Sequence, residues 1–240
     1  MYSGKANIPV VLRAEPWTAT FFVLIAPFLF PLVLQEIAIA VLPEAARADR
    51  TNLFILLCVS GISLFAVASF WAERIGAGAF AGPLRATQNW YLVAAFLGPF
   101  MLIGAGLTMA ALSGFEDGWQ YANADYAATL DLSVIPLSFV IYAILVAPFV
   151  EEILYRGIGI GALMARGAGP MVAIALTSLA FTLLHVQYSL AGMAAVFLAA
   201  VGFGWLRVAS GSVGVAIIAH VSANSFQIML QYLAAQAPAT

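Results

Sequence analysis

This sequence is short of charge. Only 8% of its 240 residues are charged, 11 acids against 9 Lys and Arg, where a soluble domain carries about 25%. So few polar groups cannot cover a globule in water, which excludes a soluble enzyme. Cysteine is nearly absent. Cys58 stands alone in an apolar run, so an internal disulfide is excluded and the residue reads as a small packing group. Basic runs and aromatic–basic interleaving are missing, which removes nucleic acid from the partners. H-E-x-x-H is missing, and with it the helical zincin arrangement. No Gly-rich phosphate loop occurs, and no Ser or Cys sits in a recognisable nucleophile context. Histidine occurs only twice, at His185 and His220.

What is present is apolar sequence. Hydrophobic residues make up 64% of the chain, and the mean hydropathy is +1.02. The fold class is therefore all-α, a polytopic transmembrane helical bundle. Given about 20 residues per crossing, seven segments are long enough to span. They run over about 17–42, 52–71, 90–112, 133–164, 171–186, 190–206 and 213–233. Short helices in the loops would raise the number to eight. No repeat or low-complexity stretch divides the chain, so residues 1–240 read as one integral membrane domain. The first run follows Lys5 and Arg13, exceeds signal-peptide length and reads as an uncleaved anchor. With the N-terminus cytoplasmic, Lys5, Arg13, Arg74, Arg85, Arg166 and Arg207 all fall at cytoplasmic ends. Glu116, Asp117, Asp125 and Asp131 then lie in an outer loop that has no Lys or Arg.

Ionisable residues within spans are expensive and mark functional sites by default. Glu36, beside Gln35 near the end of the first segment, reads as interfacial. Glu151, Glu152 and Arg156 lie together in the fourth. Glu152 and Arg156 are i and i+4 with the acid first, the favourable orientation for an ion pair. Adjacent helical residues diverge by about 100°, so Glu151 and Glu152 are expected to address different targets, leaving Glu151 without a local partner as a candidate general base. Pro148 bends the helix just before them. Phe181 and His185 are i and i+4 on the fifth segment, and His220 and Asn224 on the seventh, so each pair shares a face. At 1.5 Å per residue, Glu151, His185 and Asn224 lie about 20–22 Å from the cytoplasmic ends of their segments, and His220 about 14 Å. All four can reach one layer and form a polar intramembrane cavity. A carboxylate and a histidine can hold and deprotonate water there, while a second histidine and an amide donate to an oxyanion. Alternatively, Glu151, His185 and His220 make a zinc set with one open position.

E-E-x-x-x-R (Glu151, Glu152, Arg156), F-x-x-x-H (Phe181, His185) and H-x-x-x-N (His220, Asn224), in this order on successive apolar helices, resemble the CPBP family. That family comprises the CAAX prenyl proteases of the Rce1 type and the bacteriocin-processing and immunity (Abi) proteins. The resemblance covers about residues 132–230 and leaves the first half matched only as hydrophobic helices. It implies an intramembrane endopeptidase acting on a membrane-associated or lipidated protein or peptide. It also implies that Glu151 and His185 activate water, that His220 and Asn224 stabilise the oxyanion, and that Glu152, Arg156 and Phe181 support them. The family is often labelled metalloprotease, but a glutamate–histidine water mechanism needs no metal, and the asparagine suits that version. No required cofactor is the favoured reading, with zinc the alternative. The Ala-rich make-up points to a bacterial inner membrane. Two rival readings keep the same polar layer: a proton-coupled transporter, and a non-proteolytic immunity or scaffold protein. The oligomeric state is open. Gly157, Gly159 and Gly161 form a small-residue stripe suited to close helix packing, read as within the chain.

Overall fold

In the computed structural model, residues 50–74, 82–113, 137–186 and 188–236 are described, with isolated positions between 29 and 43. Most of the first apolar segment and the acidic loop therefore lie outside the described residues. Glu36 is among those positions, helical and exposed.

Apolar side chains dictate helices here, because backbone groups in a lipid-like interior must bond within their own segment. Among the described residues there are six helices. They are α1 (Arg50–Arg74), α2 (Gln88–Ser113), α3 (Leu137–Ala165), α4 (Pro170–Leu183), α5 (Leu190–Ser210) and α6 (Val213–Gln236). The all-helical class holds, with fewer helices than the seven or eight expected. By length and composition α2, α3, α5 and α6 can each cross a membrane. The expected span at 171–186 is corrected. Helix α4 has 14 residues, about 21 Å, which is short of a hydrocarbon core of about 30 Å. It ends because the Leu184 and His185 amides switch to bonds three residues back, to Phe181 and Thr182. Ser189 then caps α5, its Oγ accepting from Gly192 N at 3.1 Å.

The core lies where α3, α4, α5 and α6 meet. Leu154, Tyr155, Ile158, Phe181 and Ala200 form one buried cluster, and Ala94, Phe203, Leu206, Val215 and Ala219 another. Helix α2 packs along α5 and α6, and α4 against α5. The outward faces stay apolar, with Phe96, Phe100, Met171 and Leu190 exposed, as lipid-facing surfaces are. At one end the bundle is tied across its length in sequence. Val213 N donates to Pro83 O at 3.1 Å and Ser212 Oγ to Leu84 O at 3.0 Å. Gly211, at φ 72, makes the tight left-handed turn from α5 into α6.

Helix α3 is not regular. Two stretches, Tyr142–Val146 and Glu152–Gly159, have the wider π-type turn. Pro148 sits between them and lacks an N–H. Two widened turns thus flank Pro148, and such turns recur at functional sites.

Candidate active site

Glu152 and Arg156 are both fully buried and bond at 3.0 Å. Burying either charge alone would be costly, so the pair is the condition for having them inside. Arg156 also donates from Nη2 to Ala200 O at 3.0 Å. Its guanidinium lies over the rings of Phe181 and Phe203, at 4.6 and 5.6 Å from their centroids. Arginine suits this position because its flat, weakly hydrated cation stacks on aromatic faces.

The expectation that Glu151 and Glu152 address different targets is corrected. His220 serves both. Its Nδ1 is 2.8 Å from Glu152 Oε1, and its Nε2 is 3.9 Å from Glu151 Oε2. Two features allow this. The widened turn beginning at Glu152 rotates less per residue than an α turn, and the two imidazole nitrogens face different directions. Glu152 is therefore not confined to Arg156, and Glu151 is not without a partner. The Nδ1 contact assigns the proton there, so neutral His220 turns its Nε2 lone pair toward Glu151. Glu151 is the more open acid, with its side chain 20% exposed against 0% for Glu152. Two carboxylates face one guanidinium. The cluster is neutral when it holds one further proton, on Glu151 or on His220.

His185 follows the end of α4 rather than sitting on it. The i, i+4 neighbour survives through the turn, with the Phe181 and His185 rings 4.8 Å apart. His185 Nδ1 lies 3.1 Å from Phe181 O, which as a donor contact leaves Nε2 the acceptor. Tyr188 stacks on the other side of His185 at 5.7 Å. The Phe181 ring also meets His220 edge-on at 6.1 Å. Phe181 is thus the common neighbour of both histidines.

Asn224 stands apart from this cluster. Its Nδ2 donates to Ala143 O at 2.8 Å, on α3 well before Glu151. The antiparallel course of α3 and α6 accounts for this, since a turn beyond His220 on α6 faces earlier residues of α3. The single layer expected for all four groups is therefore split, with Asn224 a turn away from His220.

Among the described residues no three His, Cys, Asp or Glu are disposed to hold a metal ion. Nδ1 of His185 is turned to Phe181 O and Nδ1 of His220 to Glu152, which leaves Nε2 of each as the nitrogen that a metal ion would take.

Sequence reasoning places α5 as a span but assigns it no residue of the site. Phe203 is buried, and its ring stacks on the His220 imidazole at 4.9 Å and 18°. Its only sequence signal is the pair of flanking glycines, Gly202 and Gly204.

Residues 133–226 match the family model described as type II CAAX prenyl endopeptidase Rce1-like. No curated protein and no solved structure matches the chain. The stretch matched runs from the start of α3 past Asn224, so every side chain of the cluster falls inside it. The chain is therefore an integral membrane protein, and its similarity to the Rce1-like family lies in residues 133–226.

Proposed function

We propose that the chain is an intramembrane endopeptidase that hydrolyses a peptide bond of a membrane-associated or lipidated protein or peptide. The observation that carries this reading is His220 set between two carboxylates, one sealed and one open. A packing network alone would be complete with Glu152 and Arg156. Glu151 adds a partly exposed carboxylate beside an oriented imidazole, the arrangement that proton transfer needs.

In the proposed reaction, water binds at the open side of Glu151, which accepts its proton as oxygen attacks the scissile carbonyl. His185 presents Nε2 as a second acceptor for that water. His220, when it holds the cluster's extra proton, carries N–H on both nitrogens. Glu152 then balances its charge and Nε2–H stabilises the developing oxyanion. The second Nδ2–H of Asn224 adds a donor if the substrate reaches that level, while the first stays on Ala143 O. Proton return from Glu151 to the leaving amine completes the cycle. Glu152 and Arg156 hold the site, and Phe181 spaces the histidines. The favoured reading needs no resident metal; zinc held by Glu151, His185 and His220 is the alternative. Lys5 and Arg13 support a cytoplasmic N-terminus in a bacterial inner membrane.

The test is a comparison of protein C-termini and membrane-protein fragments in cells with the wild-type chain and with Glu151→Gln. A set of cleavage products present only with the wild type is expected, and it names the substrate. Identical fragment sets at equal expression would refute the protease reading. Cleavage that ceases on thorough chelation and returns with zinc would overturn the metal-free version.

A further inference from the structure

Helix α5 reaches the site although it carries none of the three motifs. Ala200 and Phe203 lie one turn apart and are both buried. The Ala200 carbonyl holds Arg156 Nη2. The Phe203 ring lies nearly parallel to His220, while the Arg156 guanidinium lies over the same ring. One helix face thus touches both the cation and the imidazole that Glu152 joins.

The residues around Phe203 explain how it gets there. A Cβ on Gly202 would come within 2.6 Å of Met101 Sδ on α2. A Cβ on Gly204 would come within 2.9 Å of Ile174 Cγ2 on α4 and 3.5 Å of Ile160 Cδ1 on α3. Real Cβ atoms essentially never come under 3.0 Å, as those facing Met101 and Ile174 would, so the glycines let α5 wedge between α2 and α4 at this level. The side chain between them is pressed toward α6.

We infer that Phe203 is a positioning residue that sets the plane of the His220 imidazole, so that Nδ1 meets Glu152 while Nε2 addresses Glu151. The two constraints are complementary. The Glu152 bond decides which way round the ring lies, since a half-turn flip would carry Nδ1 away from it. That bond alone leaves the ring free to tilt about the contact. The stack removes the tilt, because offset stacking favours the parallel ring orientation. Phe181, nearly perpendicular to the imidazole at 6.1 Å, adds a second ring contact. The assignment deepens the protease reading, because it concerns the imidazole which that mechanism uses.

The test exploits the two-histidine sequence. Protein with ¹⁵N-labelled histidine gives two sets of ring signals, and His185→Gln assigns the one from His220. In the wild type the His220 nitrogens should show one fixed tautomer with Nδ1 bonded. In Phe203→Leu, which keeps apolar volume but no ring face, the Nδ1–H tautomer should persist while the His220 ring signals broaden through exchange between tilted orientations. Phe203→Tyr should restore the wild-type pattern. With a substrate found by the fragment comparison, Phe203→Leu should lower kcat on the order of tenfold with little change in KM, and Phe203→Tyr should recover it. A His220 spectrum in Phe203→Leu identical to wild type would overturn the assignment. If Phe203→Leu fails to fold, Phe203→Met replaces it, and equal spectra for Met and Tyr overturn it likewise. The spectral arm needs no substrate, so failure to find cleavage products sinks the protease reading while leaving this inference separately decided.

Discussion

The side-chain amide of Asn224 closes an acceptor on Ala143 that Pro148 leaves open. In an α turn the Ala143 carbonyl would receive the Ala147 amide, but that amide donates one residue further back, to Tyr142 O. In a π turn it would receive the amide of residue 148, and proline has none. Asn224 Nδ2 fills the place at 2.8 Å from the neighbouring helix. The irregular geometry of α3 before the two glutamates is thus completed by a residue on α6.

This relationship predicts coupling between Asn224 and Pro148. Asn224→Ala should destabilise the protein by about 1–2 kcal/mol, the cost of leaving a partly buried carbonyl unpaired. In a Pro148→Ala background the restored amide offers the carbonyl a backbone donor, and the same change should cost about 1 kcal/mol less. Thermal unfolding of the four proteins in one detergent measures the cycle. Strict additivity would show that the Asn224 bond does not substitute for the missing amide.

Arg156 and Glu152 should behave as a unit. Arg156→Leu leaves a sealed carboxylate without its cation and should destabilise by about 3–5 kcal/mol. Replacing both, as Glu152→Gln with Arg156→Met, removes the isolated charge and should recover more than half of that loss. Unfolding midpoints compare the two. Equal losses would mean that the ion pair does not dominate the energetics of this region.

His185 makes a different prediction, since its ring contacts are separable from its nitrogens. His185→Phe keeps an aromatic ring against Phe181 and Tyr188 and should leave the unfolding midpoint within a few degrees of wild type, since the change corresponds to under about 1 kcal/mol. Cleavage of an identified substrate should fall by about 10²–10⁴, the range for losing a general base. A fully active His185→Phe protein would remove His185 from the water-activating role.

The helix crossing beside the site gives a paired test. A Cβ on Gly98 of α2 would run into Ser222 Oγ and the Ala219 carbonyl on α6, whereas one on Gly104 meets nothing within 4 Å. Gly98→Ala should destabilise by about 1–3 kcal/mol through forced separation of the helices. Gly104→Ala should be neutral or stabilising by up to about 1 kcal/mol, from reduced freedom of the unfolded chain. Similar unfolding curves for the two would contradict the close α2–α6 approach.

Much of this arrangement can be read along the chain, and what cannot has a physical reason. Hydropathy locates α2, α3, α5 and α6 to within about four residues, because lipid-facing helices must be apolar for their whole length. It overextends α4, since Leu184 and Val186 are as apolar as the helix before them and only the hydrogen bonds show the turn. The i, i+4 rule finds Glu152 with Arg156 and Phe181 near His185, because both contacts lie within one segment. It gives no access to contacts across helices. His220 between two acids, Asn224 on Ala143 and Phe203 on His220 all depend on the phase of one helix against another. The widened turns of α3 are likewise invisible in a pattern that assumes a constant turn, which is why the two glutamates were expected to diverge. Phe203 is one of 17 phenylalanines, and nothing in its residue type separates it from those that face lipid.

The turn at Gly211 sets the phase between Phe203 and His220. Ser212 N bonds Ser210 Oγ across it, and the 83–84 backbone pins its far side. A residue inserted there must either break these bonds or advance α6 by one place, which turns it by about 100°. The second outcome would carry the imidazole off the ring without altering any side chain or either helix. Loop length is therefore a heritable determinant of this site, and a homologue with every motif residue intact but a longer turn at this position would be a candidate for an inactive member.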